Sequence, residues 1–423
     1  MSARVRPLAR AFSLALALPL GAQALPYFQW TSVTLPEASG ARCGNGSPAR
    51  VMVNLAPASR RTLVFFEGGG ACWTQKGCLG QGKLTEVASN PQGVPTDYFN
   101  HINMGLFGLA TPLITRTPVM GKAFTQSWNL VYVPYCTGDV HAGHRLQVYA
   151  DADPSAPLTY HHRGHANTQA LADWLKAQLP RPEQLLVAGS SAGGLGATAN
   201  YAFLREAMQP ERSALMNDSG PILPAPLGGD TRQYPSLRQH TRVREAWGLD
   251  APGGVVEALN RRFPVLAVGR DLATLNTGLP KAFPSDRFGF AAFQGDGIFP
   301  AFAYGSFYPE LAGLPTAQRD AALQALWRQD LQQWRALLDT SPRVGYYIPT
   351  WRPLLKAHTL LTLDFSGTGI EEAGYASVLG FVEALVDERR PLPKVVEQDQ
   401  VSDHLRPVSP LQALGALLEG LFL

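Results

Sequence analysis

Leu185-Leu186-Val187-Ala188-Gly189-Ser190-Ser191-Ala192-Gly193-Gly194 is the stretch that decides the fold. An apolar, strand-like run enters a cluster of glycines and serines, and a helical pattern over 195–208 leaves it. Gly189 to Gly193 is a G-x-S-x-G sequence with Ser191 at its centre. Alone the pattern is weak, because small-residue clusters also make ordinary tight turns. Between a strand and a helix it reads as a nucleophile elbow, a sharp turn that lifts a serine hydroxyl above a sheet. Glycine is required at its flanks because a side chain there would strike the neighbouring strand and helix.

The same unit recurs on either side of the elbow. Strand signals at 63–67, 129–134, 214–217, 288–293 and 344–348 are separated by turn-forming glycines and by helical patterns at 167–179, 317–338 and 375–386. Short strands alternating with helices predict an α/β fold, a mainly parallel sheet with helices on both faces. Ligands bind such sheets at the carboxyl ends of the strands, where these glycine turns fall. Residues 221–284 are rich in Pro, Gly and Arg with weak strand signals, and read as an insertion after the nucleophile half. That insertion is either a cap or an elaboration remote from the site. No repeat or low-complexity linker divides the chain, so 25–423 reads as a single domain.

Composition narrows the class. Of 423 residues, 45% are hydrophobic and 16% charged, the balance of a folded globular protein. Met1 to Ala24 has a basic start (Arg4, Arg6, Arg10), an apolar run over 11–18 and small residues at 22–24, the layout of a secretory signal peptide. The run is too short for a transmembrane anchor, and no later segment is long and apolar enough to span a bilayer. Loss of those three arginines brings the net charge from +3 to neutral, which offers no electrostatic footprint for nucleic acid. Cys43, Cys72, Cys78 and Cys136 form an even set in a chain expected to be exported. They read as disulfides, with three pairings open, rather than as zinc ligands, since no C-x2-C pair is present. His141, His144, His161, His162 and His165 include an i, i+4 pair, but no acid is placed as in H-E-x-x-H, so no metal is expected.

A serine hydroxyl attacks an ester only when a base takes its proton, and the base needs a carboxylate to orient it. On this kind of fold the chain order is serine, acid, histidine. Asp218 and Asp296 both follow strand signals. Each sits in a turn-forming sequence, and the plain turn reading is the stronger for Asp218-Ser219-Gly220. His240, His358 and His404 follow Ser191, and His240 precedes Asp296. His358 is trailed by the apolar stretch 359–363, which can hold its loop against the sheet, whereas His404 lies between Asp403 and Arg406 and reads as solvated. The base is therefore expected to be His358. An oxyanion needs amide donors, which the residue after the nucleophile, Ala192, and the run Gly68-Gly69-Gly70 can supply.

Taken together, several motifs resemble the pectin acetylesterase/Notum family. They are Cys43-Gly44-Asn45-Gly46-Ser47-Pro48, Phe65-Phe66-Glu67-Gly68-Gly69-Gly70 with Cys72-Trp73, Val133-Pro134-Tyr135-Cys136, the elbow, Asp218-Ser219-Gly220 and Gln294-Gly295-Asp296-Gly297. The resemblance implies an α/β-hydrolase fold, an extracellular carboxylesterase activity and no cofactor. It also implies Ser191 as nucleophile, Asp296 as acid, His358 as base, and Gly69, Gly70 and Ala192 as oxyanion donors. It further implies the disulfides Cys43–Cys136 and Cys72–Cys78. Two departures stand out: Ala71 follows the glycines where family members commonly carry an aromatic residue, and no cysteine lies near His358 as in plant members.

The expected function is that of an exported, secreted or periplasmic serine carboxylesterase removing short acyl groups, acetyl among them, from a small-molecule or glycan ester. The alternatives are a deacylase or depolymerase of another ester, such as a long-chain acyl adduct or polyester oligomer, and a hydrolase-like binding protein without activity. An intact Ser191, Asp296 and His358 argues against the last.

Overall fold

The computed structural model describes residues 25–83, 85–100, 111–116 and 122–398. The expected leader, residues 1–24, and His404 lie outside the described residues. The strands are β1 (Thr31–Thr34), β2 (Arg50–Asn54), β3 (Arg61–Phe66), β4 (Gly70–Ala71), β5 (Val87–Ala88), β6 (Asn129–Val133) and β7 (Arg145–Tyr149). They continue with β8 (Leu158–His162), β9 (Gln184–Ser190), β10 (Arg212–Asp218), β11 (Arg287–Ala291), β12 (Val344–Ile348) and β13 (Lys394–Val396). Nine of them form one sheet in the order β1-β2-β6-β3-β9-β10-β11-β12-β13. β1 and β2 pair antiparallel, as do β2 and β6; every pair from β6 to β13 is parallel. The pairs β4–β5 and β7–β8 are separate antiparallel hairpins.

The centre of the sheet is buried on both faces, so its strands are continuous apolar runs rather than alternating ones. Alternation survives in where the side chains go. On β3, Val64 and Phe66 enter one core while Leu63 and Phe65 enter the other; on β9, Leu185 and Val187 separate from Leu186 and Ala188 in the same way. Helices Gly164–Gln178, Ala192–Met208 and Thr316–Asp339 contribute to the first core. Helix Val378–Val386 contributes Phe381, Val382 and Leu385 to the second.

Among the boundaries that differ from the sequence expectation, two have clear local causes. The elbow helix begins at Ala192, three residues before the predicted start, because Gly193 and Gly194 sit inside its first turn, where close packing overrides their poor helix propensity. The last helix begins at Val378, because the Ser377 hydroxyl accepts from the Leu379 amide and caps it there. The segment 221–284, between β10 and β11, carries helices Leu237–Trp247, Val255–Arg262 and Thr274–Ala282. The pair His161 and His165 does not share a helix: His161 lies on β8 and His165 in the first turn of helix Gly164–Gln178.

Candidate active site

Ser191 sits at the junction of β9 and the elbow helix with φ 58 and ψ −125, a left-handed φ that an L-residue holds only under constraint. The constraint is close packing. A Cβ on Gly189 would lie 2.2 Å from Gly193 O, and one on Gly193 would lie 2.1 Å from Phe66 O. The Ser191 amide donates to Asp218 O at 2.7 Å, tying the elbow to the end of the next strand.

Asp296 follows β11 and is fully buried. Its Oδ1 accepts from the Ile298 and Phe299 amides at 2.8 and 2.9 Å, and its Oδ2 lies 2.7 Å from His358 Nδ1. A carboxylate can only accept, so this contact places the proton on Nδ1 and leaves the Nε2 lone pair available. Nε2 is buried and has no hydrogen-bond partner among the described residues. His358 and Ser191 line one cavity, together with Gly70 and Ala192. Gly69 is not part of that lining; its carbonyl accepts from the Ser89 amide. Ala192 is the first residue of the elbow helix, where amides have no intrahelical acceptor. Gly70 has φ +76, and a Cβ there would meet Val87 O at 2.2 Å.

The loop carrying His358 is held from both sides. Leu355, Lys356, Ala357, Thr359 and Leu363 all have positive φ, an expensive arrangement that needs external support. Asp218 supplies acceptors. Its Oδ1 takes the Leu360 amide at 2.8 Å and the Ser219 hydroxyl at 3.0 Å; its Oδ2 takes the Leu361 amide at 2.9 Å and the Ser190 hydroxyl at 2.7 Å. The Ser219 hydroxyl also accepts from the Thr359 amide at 3.1 Å. Burial pushes the Asp218 carboxyl up, against these donors, which pull it down. Arg352, fully buried, donates to the carbonyls of Thr359, Thr362 and Asp364 on the other side. Asp218 was expected to be a plain turn residue and Arg352 carried no signal. The hints for Asp218 were an acid ending an apolar strand and its place in the Asp218-Ser219-Gly220 motif.

Glu67 braces the glycine loop from below. It is buried, accepts from Tyr98 Oη at 2.8 Å and from the Tyr135 amide at 2.7 Å, and burial raises its pKa to about 7. Its carbonyl lies 2.8 Å from His141 Nε2, and burial lowers the His141 pKa to about 4, so that ring is neutral and donates.

Cys43 is joined to Cys136 and Cys72 to Cys78. Cys72, Cys78 and His162 lie close enough together to suggest a metal site, but the two sulfurs are bonded to each other. Both His162 ring nitrogens are also engaged, Nδ1 with Thr137 O and Nε2 with Tyr149 Oη. No donor set remains there for an ion.

The cavity beside Ser191 has a volume of about 110 Å³ and an apolar wall. Leu195 and Ala199 of the elbow helix, Val243, Trp247 and Leu259 of the 221–284 segment, and Phe299 and Phe302 form much of it. The 221–284 segment therefore borders the site.

The family model for pectinacetylesterases matches residues 23–234. The palmitoleoyl-protein carboxylesterase Notum of Mus musculus is 28% identical over 210 residues, 49% of this chain and 34% of that protein. An inactive palmitoleoyl-protein carboxylesterase of Danio rerio is 31% identical over 106 residues, 25% of this chain and 68% of that one. The chain thus spans about a third of the length of the first curated relatives it matches. The structure of the Wnt deacylase Notum from Drosophila superposes with a TM-score of 0.57 at 17% identity, covering 89% of this chain and 99% of that chain. That likeness is one of fold.

Proposed function

Because the chain belongs to the pectinacetylesterase family, we propose that it is a serine carboxylesterase acting on esters whose acyl groups have about four to six carbons. The observation that carries this reading is the apolar cavity shared by Ser191 and His358. Its volume of about 110 Å³ is somewhat below the roughly 150 Å³ of an apolar cavity that takes up benzene. An acetyl group underfills such a space, and a long chain extends beyond it.

In this reading the Ser191 Oγ attacks the ester carbonyl carbon while its proton passes to His358 Nε2. Asp296 keeps the other ring proton on Nδ1 and stabilises the imidazolium. The oxyanion is met by the Ala192 amide and by the amides of Gly69 and Gly70. Collapse breaks the bond to the alcohol oxygen, which leaves with the proton from His358. Water, deprotonated by the same nitrogen, then releases the acid and restores Ser191. These steps use the chain's own side chains and backbone amides, the ester and water. Export to the cell exterior or periplasm is supported by the two disulfides and by the leader-like start. Among the described residues no helix is long and apolar enough to cross a membrane.

The test is a chain-length series of p-nitrophenyl esters with wild type and Ser191→Ala. Each methylene that enters the cavity contributes about 0.8 kcal/mol, or roughly fourfold in kcat/KM, until the cavity is full. The maximum is expected between butanoate and hexanoate, with turnover lost in Ser191→Ala and a fluorophosphonate label on Ser191. A maximum at acetate overturns the acyl assignment. Labelling at another residue overturns the nucleophile, and a protein that hydrolyses nothing and takes no label is the binding protein instead.

A further inference from the structure

Helix Leu237–Trp247 turns His240, Val243 and Trp247 toward the cavity at i, i+3 and i+7, the spacing of one helix face. Val243 and Trp247 suit an apolar wall; an imidazole does not. His240 is only 9% exposed, and its Nδ1 is buried without a hydrogen-bond partner. Neither ring nitrogen is hydrogen-bonded among the described residues, although its own backbone amide is, to Ser236 O at 2.9 Å. Buried polar atoms are nearly always paired, so an orphaned ring nitrogen on a residue lining the same cavity as Ser191 calls for a reason.

We propose, resting on the carboxylesterase reading above, that His240 determines specificity by hydrogen-bonding a hydroxyl carried on the substrate's acyl chain, so that the preferred substrates are hydroxyacyl esters. Burial, helped by the positive charge of Arg244, lowers the pKa of the ring to about 4. At ordinary pH it is therefore neutral, with one nitrogen donating and the other accepting. A hydroxyl also both donates and accepts, and it brings no charge into an apolar cavity. A carboxylate or ammonium on the acyl chain would be buried there without a counter-charge, which is far more costly. A plain acyl chain fills the space but leaves the ring unpaired.

The experiment compares kcat/KM for the methyl esters of butanoic and hexanoic acids with those of 3-hydroxybutanoic and 6-hydroxyhexanoic acids. Wild type is expected to favour at least one hydroxyacyl ester over its parent by about tenfold or more, because a site built to pair a hydroxyl discriminates against the analogue lacking it. In His240→Leu that preference, read as the ratio of kcat/KM between each hydroxyacyl ester and its parent, falls to about one. His240→Phe gives the same comparison if the leucine variant does not fold. Wild-type indifference to every hydroxyl, or a preference that survives loss of the imidazole, overturns the proposal and leaves the esterase reading standing. Wild type that hydrolyses no ester, or hydrolysis that Ser191→Ala retains, overturns the esterase reading itself and this proposal with it.

Discussion

Asp218→Asn strikes the point where the nucleophile segment and the base segment meet. Each carboxylate oxygen takes one backbone amide and one hydroxyl: Leu360 and Ser219 on Oδ1, Leu361 and Ser190 on Oδ2. A carboxamide has a single oxygen. Whichever way it is turned, its NH2 faces the amide of Leu360 or Leu361. The hydroxyl on that side can rotate, but the backbone N–H cannot, so one buried donor is left unpaired at a cost of about 1–3 kcal/mol. The remaining bonds lose their charge-assisted character, which costs more, while relief from burying a charge offsets part of the loss. The net destabilisation is about 2–4 kcal/mol. It should appear as a lower denaturation midpoint with an unchanged m-value. Asp218 does not line the acyl cavity, so KM should change little. The loop that begins to loosen at Thr359 carries His358 immediately before it, and a displacement near 1 Å costs about a hundredfold in rate. Under conditions where the variant is folded, kcat for a butanoate ester should therefore fall by about ten- to hundredfold. A wild-type midpoint with wild-type kcat would show that Asp218 does not hold the His358 loop, and a loss confined to KM would place Asp218 in substrate binding instead.

Two further outcomes follow from the braces around the site. Burial raises the Glu67 pKa from 4.5 to about 7, so between those values the native state holds a proton that the unfolded chain has released. Wild-type stability from this group is present below pH 4.5 and lost as pH rises to about 7, by roughly 3 kcal/mol in all. Glu67→Gln mimics the protonated acid, so the variant's stability should gain on that of wild type across this window; a difference that does not change with pH contradicts the assignment. Gly193→Ala places a methyl 2.1 Å from Phe66 O, which belongs to the backbone and cannot turn away. It should destabilise by the upper part of the roughly 1–3 kcal/mol overpacking range, or more, and reduce Ser191 labelling. Wild-type melting temperature and labelling in this variant would remove the steric account of the elbow.

Short-range pattern was enough for part of this fold. Apolar runs ending in glycines located the central strands, and the pair Gly189 and Gly193 marked a turn that only residues without side chains can make. Chain order and loop context favoured His358, and the resemblance implied Asp296; the structure brings the two within 2.7 Å of each other. Tertiary structure decided the rest, because those contacts join residues far apart in the chain. Asp218 looks like any turn-forming aspartate until the Leu360 and Leu361 amides close on it, 142 and 143 residues later. Arg352 is an ordinary arginine in sequence and a fully buried clamp in space. His161 and His165, spaced as if on one helix, are separated by a strand end, because β8 stops at His162 before the helix begins at Gly164. His240 seemed irrelevant once it preceded the acid, yet the fold of 221–284 turns it into the cavity beside Ser191. Hydrophobic periodicity reports the face a residue presents; it does not report what the rest of the chain packs against that face.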